Sequence, residues 1–150
     1  MLAAGGMRCG STPRRPELLP PPVLVIDECL STRLASELTL RGRPAKSIAS
    51  LGLRGLGDPQ VFEALRDLSE PYVIVTADTA MPLDWMGAIE SAGATVAIID
   101  SRHTADYLVG EWYRDVTHRW AHVMRDQPPG SVHRYTARGH REWRPRRRVR

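Results

Sequence analysis

The chain has few of the residues that build disulfide frameworks or metal–thiolate sites. Its 150 residues include two cysteines, one phenylalanine and one lysine. Cys9 and Cys29 have neither a metal-ligand spacing nor enough partners for a disulfide framework. Because Cys9 falls in a proline-rich segment, a reducing cytoplasm is the simplest predicted compartment. No apolar stretch is long enough for a signal peptide or a membrane span, so no association with a membrane is predicted.

Acidic and basic residues are divided unevenly along the chain. Residues 23–132 carry a net charge of about −5, whereas residues 133–150 carry eight arginines against one glutamate. Clustered arginines are typical of proteins that bind a polyanion such as nucleic acid, although a solvated tail without a partner has the same composition. Trp143 lies among these arginines, and both base stacking and a protein contact remain open for it.

Alternating apolar runs and amphipathic segments predict an α/β fold with a mainly parallel sheet of four to five strands. The chain divides into a disordered arm over residues 1–22, a folded domain over residues 23–126 and an arginine-rich tail over residues 127–150. Within the domain, four strands are predicted at residues 23–26, 45–48, 72–76 and 95–99. Helices are predicted from Ser31, Asp58 and either Pro82 or Asp84, with a long last helix over residues 104–125.

Acidic residues follow the predicted strands at their carboxyl ends. Asp27 and Glu28 follow the first strand, Asp78 follows Tyr72–Thr76, and Asp58 opens a helix after a glycine-rich loop. Ligands of parallel α/β sheets bind beyond the carboxyl ends of the strands. Carboxylates that converge there repel one another unless a cation such as Mg²⁺ or Mn²⁺ holds them together. The pattern therefore predicts a metal-dependent hydrolase of phosphodiesters.

Structural roles compete with metal binding at several of these acids. The Asp58-Pro59 pair is a common helix start, in which the aspartate acts as a cap. Asp84 lies at a possible start of the next predicted helix, and a role as its cap is favoured over a functional role. Asp78 suits a turn, with Thr76 nearby as a hydroxyl donor to a carboxylate or a phosphate. Asp100 lies where the fourth predicted strand stops, and it could act there as either a late metal ligand or a cap.

Three segments in order resemble the PIN-like (PilT N-terminus-like) nucleases, in particular the branch of VapC-type toxins. They are Val23-Leu24-Val25-Ile26-Asp27-Glu28, then Leu51-Gly52-Leu53-Arg54-Gly55-Leu56-Gly57-Asp58, then Val73-Ile74-Val75-Thr76-Ala77-Asp78. The resemblance covers roughly residues 23–100. It implies a three-layer α/β/α fold to which the long C-terminal helix and the basic tail are added.

The resemblance also implies an activity. Asp27, Asp58 and Asp78 occupy the positions of the catalytic, metal-binding acids of such nucleases, with Glu28 beside the first as a further metal ligand. One or two Mg²⁺ or Mn²⁺ ions would activate water for attack on RNA. The implied partners are an RNA substrate and a cognate antitoxin protein, and a homodimer is compatible with the family.

The sequence departs from the family pattern at two places inside the resembling region. Thr79-Ala80-Met81 stands where an aromatic residue is usual after the third acid, and a further acid of many PIN domains has no clear counterpart. A catalytically inactive PIN-like binding module is therefore the main alternative. A receiver-like signalling domain ranks behind it, because Lys46 lies too early in the chain for the late strand-end lysine of that chemistry.

Overall fold

A computed structural model describes residues 22–68, 70–100 and 109–145, including all of their side chains except those of residues 109–112. Six strands and four helices are found in these residues. The strands are β1 (Val23–Ile26), β2 (Ala45–Ser47), β3 (Tyr72–Thr76), β4 (Val96–Ile99), β5 (Val132–Tyr135) and β6 (His140–Glu142). The helices are α1 (Thr32–Leu40), α2 (Asp58–Leu65), α3 (Met81–Ala92) and α4 (Val109–Arg125).

The strands form a single sheet in the order β2-β1-β3-β4-β5-β6. All neighbours from β2 to β5 are parallel, and β6 is antiparallel to β5. The chain therefore moves outward from β1 in two directions, first to β2 and then through β3 to the other edge. This reversal of strand order beside β1 creates a crevice at the carboxyl ends of β1 and β3, where ligands of such sheets bind.

Apolar side chains cover both faces of the sheet. Leu24 and Ile26 of β1 pack in one cluster with side chains of α1 and α4. Val25, the residue between them, packs in a second cluster with side chains of α2 and α3. Neighbouring strand residues point to opposite faces, so the all-apolar β1 is buried on both sides. This α/β architecture is compatible with three layers.

The helix ends follow local sequence signals. Ser31 caps α1, since its Oγ accepts a hydrogen bond from the Arg33 N–H at 3.3 Å. Gly93 ends α3 with φ of 62°, a left-handed conformation that favours glycine. On α1, Leu34 and Leu38 are buried in the core, whereas Leu40 is 87 % exposed.

The last third of the chain differs from the prediction. The sheet has six strands rather than four to five, because β5 and β6 lie within residues 127–150, the stretch interpreted as a tail. Val132 and Tyr135 of β5 are buried. Tyr135 also donates a hydrogen bond to Gln127 Oε1 at 2.8 Å, and Gln127 Nε2 donates to the carbonyl of Val96 at 2.8 Å. These contacts fix the segment after α4 to the sheet.

Three predicted features lie outside the described residues in whole or in part. Residues 1–21 of the proposed arm, residues 104–108 of the long helix and residues 146–150 of the tail belong to this group. The described part of the long helix, α4, ends at Arg125 as predicted. Among the described residues, no helix combines the length and apolar character that crossing a bilayer requires.

A buried ion pair joins β5 to the end of β4. Asp100 and Arg134 form it, with side chains 5 % and 16 % exposed respectively. Removing one partner of a buried pair leaves the other charge uncompensated. We expect Asp100→Ala to lower the free energy of unfolding by about 3–5 kcal/mol, measured by urea denaturation.

The matched control is Asp126→Ala. Asp126 pairs with Arg125, but its side chain is 75 % exposed, so its removal should cost less than about 1 kcal/mol. Equal losses in the two variants would contradict a structural role for the Asp100–Arg134 pair.

Candidate active site

Two acids stand at the carboxyl ends of β1 and β3, with Thr76 between them. The Thr76 hydroxyl donates a hydrogen bond to Asp27 Oδ2 at 2.7 Å and accepts one from the Asp78 N–H at 3.1 Å. Asp27 Oδ1 accepts from the Glu28 N–H at 2.8 Å. The prediction that Thr76 could bind a carboxylate is thus confirmed. Parallel pairing of β1 with β3 sets this geometry, because it brings both strand ends to one edge.

Asp78 also has the turn role that its sequence position suggested. Its Oδ1 accepts a hydrogen bond from the Ala80 N–H at 2.9 Å, which shapes the turn into α3. The residue is exposed. A carboxylate can accept several hydrogen bonds or a cation at its two oxygens, so the turn role leaves acceptor capacity for a ligand.

Asp58 is not the cap of its helix. The N-cap of α2 is Gly57, whose N–H donates to Gln60 Oε1 at 3.1 Å. Asp58 is the first residue of the helix and receives a hydrogen bond from the Trp85 side chain of α3. The capping explanation, which favoured a purely structural role from sequence, is therefore wrong for this residue.

The charges of the neighbouring acids act on Asp58. Partial burial raises the pKa of its carboxyl above the ordinary value, and the negative charges of Asp27 and Asp78 raise it further. Asp84 adds to this rise, whereas the hydrogen bond from Trp85 opposes it. Like charges disfavour ionisation of a carboxyl only when they lie near it. Asp58 therefore shares one neighbourhood with the other two acids predicted from the sequence.

The raised pKa of Asp58 has a consequence for stability in the absence of metal. The folded state holds the Asp58 proton more tightly than the unfolded chain does, so this contribution to stability is present below the ordinary pKa of 3.8. It is lost as pH rises through the raised pKa. We expect Asp58→Asn to raise the thermal midpoint in EDTA at pH 7, and this gain to shrink as pH falls towards 4. A rise in the thermal midpoint that is the same at every pH would contradict the raised pKa of Asp58 as its cause.

Asp84 is the acid that sequence reasoning assigned to a different role. It was predicted to cap its helix, but α3 begins at Met81 after Ala80, so Asp84 lies in the first turn. A carboxylate there interacts favourably with the positive end of the helix dipole. Of the two predicted starts, Pro82 is the nearer to the observed one, because α3 begins at Met81 and proline is favoured at the first positions of a helix.

Glu28 faces the glycine-rich loop. Its Oε1 accepts a hydrogen bond from the Gly55 N–H at 2.7 Å. Gly55 has φ of 79°, a conformation that glycine adopts without strain. Glu28 therefore anchors the loop that leads to Asp58. Glu28 and Asp27 also line a small pocket of about 140 Å³ together with Arg54.

Two further residues complete the description of this edge. Asp100 pairs with Arg134 of β5, so its position is explained by the ion pair rather than by a late metal ligand or a cap. Cys29, which sequence reasoning did not connect with the acids, has its Sγ 3.4 Å from both Asp27 Oδ2 and the Thr76 hydroxyl.

The donor atoms at this edge suit a hard divalent cation. Within residues 22–68, 70–100 and 109–145, no three acidic, histidine or cysteine side chains stand close enough together to hold an ion as they are. The donors are nevertheless all carboxylate oxygens, the ligand type that Mg²⁺ and Mn²⁺ prefer. Their mutual repulsion, expressed in the raised pKa of Asp58, would be relieved by a cation. Asp27, Asp58, Asp78 and Asp84 are thus chemically suited to a metal that draws them closer.

No protein-family model, curated protein or solved structure matches this chain. The interpretation of the site therefore rests on its residues and their positions.

Proposed function

We propose that this chain is a metal-dependent endoribonuclease of the PIN-like type, which hydrolyses RNA phosphodiester bonds with Mg²⁺ or Mn²⁺ and serves as the toxin of a toxin–antitoxin pair. The observation that carries the proposal is the placement of Asp27 and Asp78 at the carboxyl ends of the paired strands β1 and β3, where the Thr76 hydroxyl contacts both residues. Asp58 at the start of α2 lies within electrostatic range of Asp27, Asp78 and Asp84, whose charges add to the effect of burial in raising its pKa. A folded protein keeps such repulsion chiefly at functional sites.

The residues have distinct proposed roles. Asp27 is held in place by Thr76 and by the Glu28 N–H, so its carboxylate is preorganised before any ligand arrives. Asp58 and Asp78 are proposed to share the metal with it, and Asp84 strengthens the negative field. Glu28 anchors the glycine-rich loop through Oε1, and its other carboxylate oxygen is a proposed ligand of the metal. A bound metal would supply an activated water and neutralise charge on the scissile phosphate.

The direct test is an RNA cleavage assay. Purified protein, incubated with a single-stranded RNA labelled at its 5′ end, should release shorter labelled fragments with Mg²⁺ or Mn²⁺ and none in EDTA. Readdition of Mn²⁺ should restore cleavage, which separates metal dependence from loss of folded protein. Cleavage that continues unchanged in EDTA would refute the proposed mechanism.

The toxin role has its own test in cells. Induced expression of the chain in a bacterial host should arrest growth, and Asp27→Asn should not. Co-expression of the protein encoded by a neighbouring gene should relieve the arrest if that protein is the antitoxin. Growth arrest by the Asp27→Asn variant at equal expression would separate toxicity from the acidic site.

An inactive PIN-like binding module is the second candidate. It is favoured by the use of carboxylate oxygens for structural bonds, Asp78 Oδ1 with Ala80 and Glu28 Oε1 with Gly55. Such a module would keep the fold and bind RNA or protein without cleavage. A specific effect of Mn²⁺ on stability distinguishes the two candidates.

A further inference from the structure

A basic groove lies beside the acidic crevice, on the outer strands of the sheet. It has a volume of about 760 Å³ and is lined by Leu83, Arg134, Arg141, Glu142, Trp143, Arg144 and Pro145. Most of these residues come from the segment after α4. None of them takes part in the acidic site described above. The groove therefore needs a separate explanation.

The pairing of β5 with β6 sets two arginines side by side. Arg134 and Arg141 are direct partners in the antiparallel register, so their side chains share one face of the sheet. Trp143 lies two residues beyond Arg141 on the same face and packs against the apolar cluster that includes Val132. Trp143 thus packs against the core on the same face of the sheet as Arg134 and Arg141.

The groove retains unused hydrogen-bonding capacity. No carboxylate among the described residues forms an ion pair with Arg141, which is exposed. Arg134 pairs with Asp100 through its terminal nitrogen, but its buried Nε has no hydrogen-bond partner among the described residues. Arg144 pairs with Glu142 at 2.8 Å, and both side chains are largely exposed. A phosphate can replace the carboxylate in such an exposed pair at little cost.

We propose that this groove is a binding site for single-stranded RNA, in which a base stacks on Trp143 and phosphates contact Arg141 and Arg144. Sequence-tolerant single-strand binding combines arginines along the backbone with an aromatic ring for the bases. The groove has both elements within four consecutive residues. The assignment of this groove as a substrate site extends the proposed function and depends on it. The binding of single-stranded RNA to the groove does not depend on the proposed function.

The groove and the acidic crevice share helix α3. Leu83 lines the groove, and the next residue, Asp84, is one of the charges acting on Asp58. Trp143 follows β6, which is three strands from β3 in the sheet, about 14 Å at the usual strand spacing. A single-stranded RNA bound on Trp143 is proposed to cross this distance past Leu83 and reach the acids. The sequence continues beyond Pro145 with four further arginines, at 146, 147, 148 and 150.

An acidic protein segment is the competing ligand. It would use the arginines but would gain little from the indole ring of Trp143. RNA uses both, because every base has a face that stacks on an indole and every phosphate carries a charge.

Binding can be measured apart from cleavage. Fluorescence anisotropy of a 5′-fluorescein-labelled 12-nucleotide oligouridylate, titrated with the full chain in EDTA, should give saturable binding that weakens as salt rises. Arg141→Ala should make the slope of log affinity against log salt shallower by about 0.7. Trp143→Leu, which keeps an apolar side chain against the core, should weaken binding about 10-fold.

Two further variants and one peptide ligand serve as controls. Arg66→Ala removes an exposed arginine just after α2, outside the lining of the groove, and should bind RNA as wild type does. Asp126→Asn, which lies outside both the acidic site and the groove, should also bind normally. Because binding is measured in EDTA, where no cleavage is expected, failure of cleavage and failure of this inference are distinguishable. A matched 12-residue polyglutamate should bind more weakly than the oligonucleotide and should be insensitive to Trp143→Leu.

The groove assignment is overturned by any of three results. The first is that both Arg141→Ala and Trp143→Leu bind the RNA with wild-type affinity. This result includes the case in which deletion of residues 146–150 is the one change that abolishes binding. The second is equal weakening by Arg66→Ala. The third is polyglutamate binding that equals RNA binding and shows the same loss with Trp143→Leu. Thermal midpoints of Arg141→Ala and Trp143→Leu confirm that each variant is folded at the assay temperature.

Discussion

Asp27→Asn should lower the rate of Mn²⁺-dependent RNA cleavage at least ~100-fold, because the loss of even an outer partner of a metal ligand costs 10- to 100-fold. The substitution preserves size and an oxygen that can accept the hydrogen bond from Thr76. It removes the negative charge that a divalent ion needs. Initial rates on a labelled single-stranded RNA, at saturating Mn²⁺, measure the effect. Asp78→Asn should give a loss of similar size.

The matched control for both variants is Asp126→Asn, which neutralises an exposed acid just after α4. It should retain the wild-type rate, and all three variants should show cooperative thermal unfolding. Cleavage at the wild-type rate by both Asp27→Asn and Asp78→Asn would remove these acids from the mechanism. Equal losses in all three variants would assign the effect to net charge rather than to the site.

Mn²⁺ should raise the thermal midpoint of the wild-type protein by about 5–10 °C when its concentration reaches 100 times the dissociation constant. Linkage gives about 2.7 kcal/mol of stabilisation at that ratio, and a domain of this size gains about 2–4 °C per kcal/mol. The source of the stabilisation is the replacement of repulsion among Asp27, Asp58 and Asp78 by attraction to the ion. Differential scanning fluorimetry over a Mn²⁺ series measures it.

The Asp58→Asn variant makes this measurement specific. In EDTA at pH 7 its thermal midpoint should be higher than that of the wild type, because the carboxylate whose ionisation the neighbouring charges disfavour is gone. Its thermal midpoint should then rise little when Mn²⁺ is added. Asp126→Asn should show the full wild-type shift. A wild-type protein that gains nothing from Mn²⁺ at any concentration would support the inactive module instead of the nuclease.

The inner part of the fold could be predicted from local sequence. Strands such as β1 and β3 are continuous apolar runs, and burial on both faces makes such runs unambiguous in a parallel sheet. Ser31 and Gly93 mark helix ends through their side-chain and backbone preferences. The positions of Asp27 and Asp78 follow directly, because a residue after a strand lies at the edge where that strand ends.

The outer part of the fold could not be predicted in this way. In β5 the end residues Val132 and Tyr135 are buried, whereas His133 and Arg134 between them are partly exposed. Arg134 is stabilised there by its ion pair with Asp100, which follows β4. Asp100 lies 34 positions earlier in the chain, so no local window contains both charges. The involvement of Asp84 with Asp58 likewise depends on the packing of α3 against α2, a long-range contact that local preference does not encode.

The late position of β5 in the chain has a consequence during protein synthesis. Until residues 132–135 have left the ribosome, β4 has an open hydrogen-bonding edge and Asp100 lacks its cationic partner. Exposed strand edges are prone to pair with other chains, and domains complete their folding only after the necessary residues emerge. The edge of β4 should thus be covered, and Asp100 paired with Arg134, only after residues 132–135 have emerged from the ribosome.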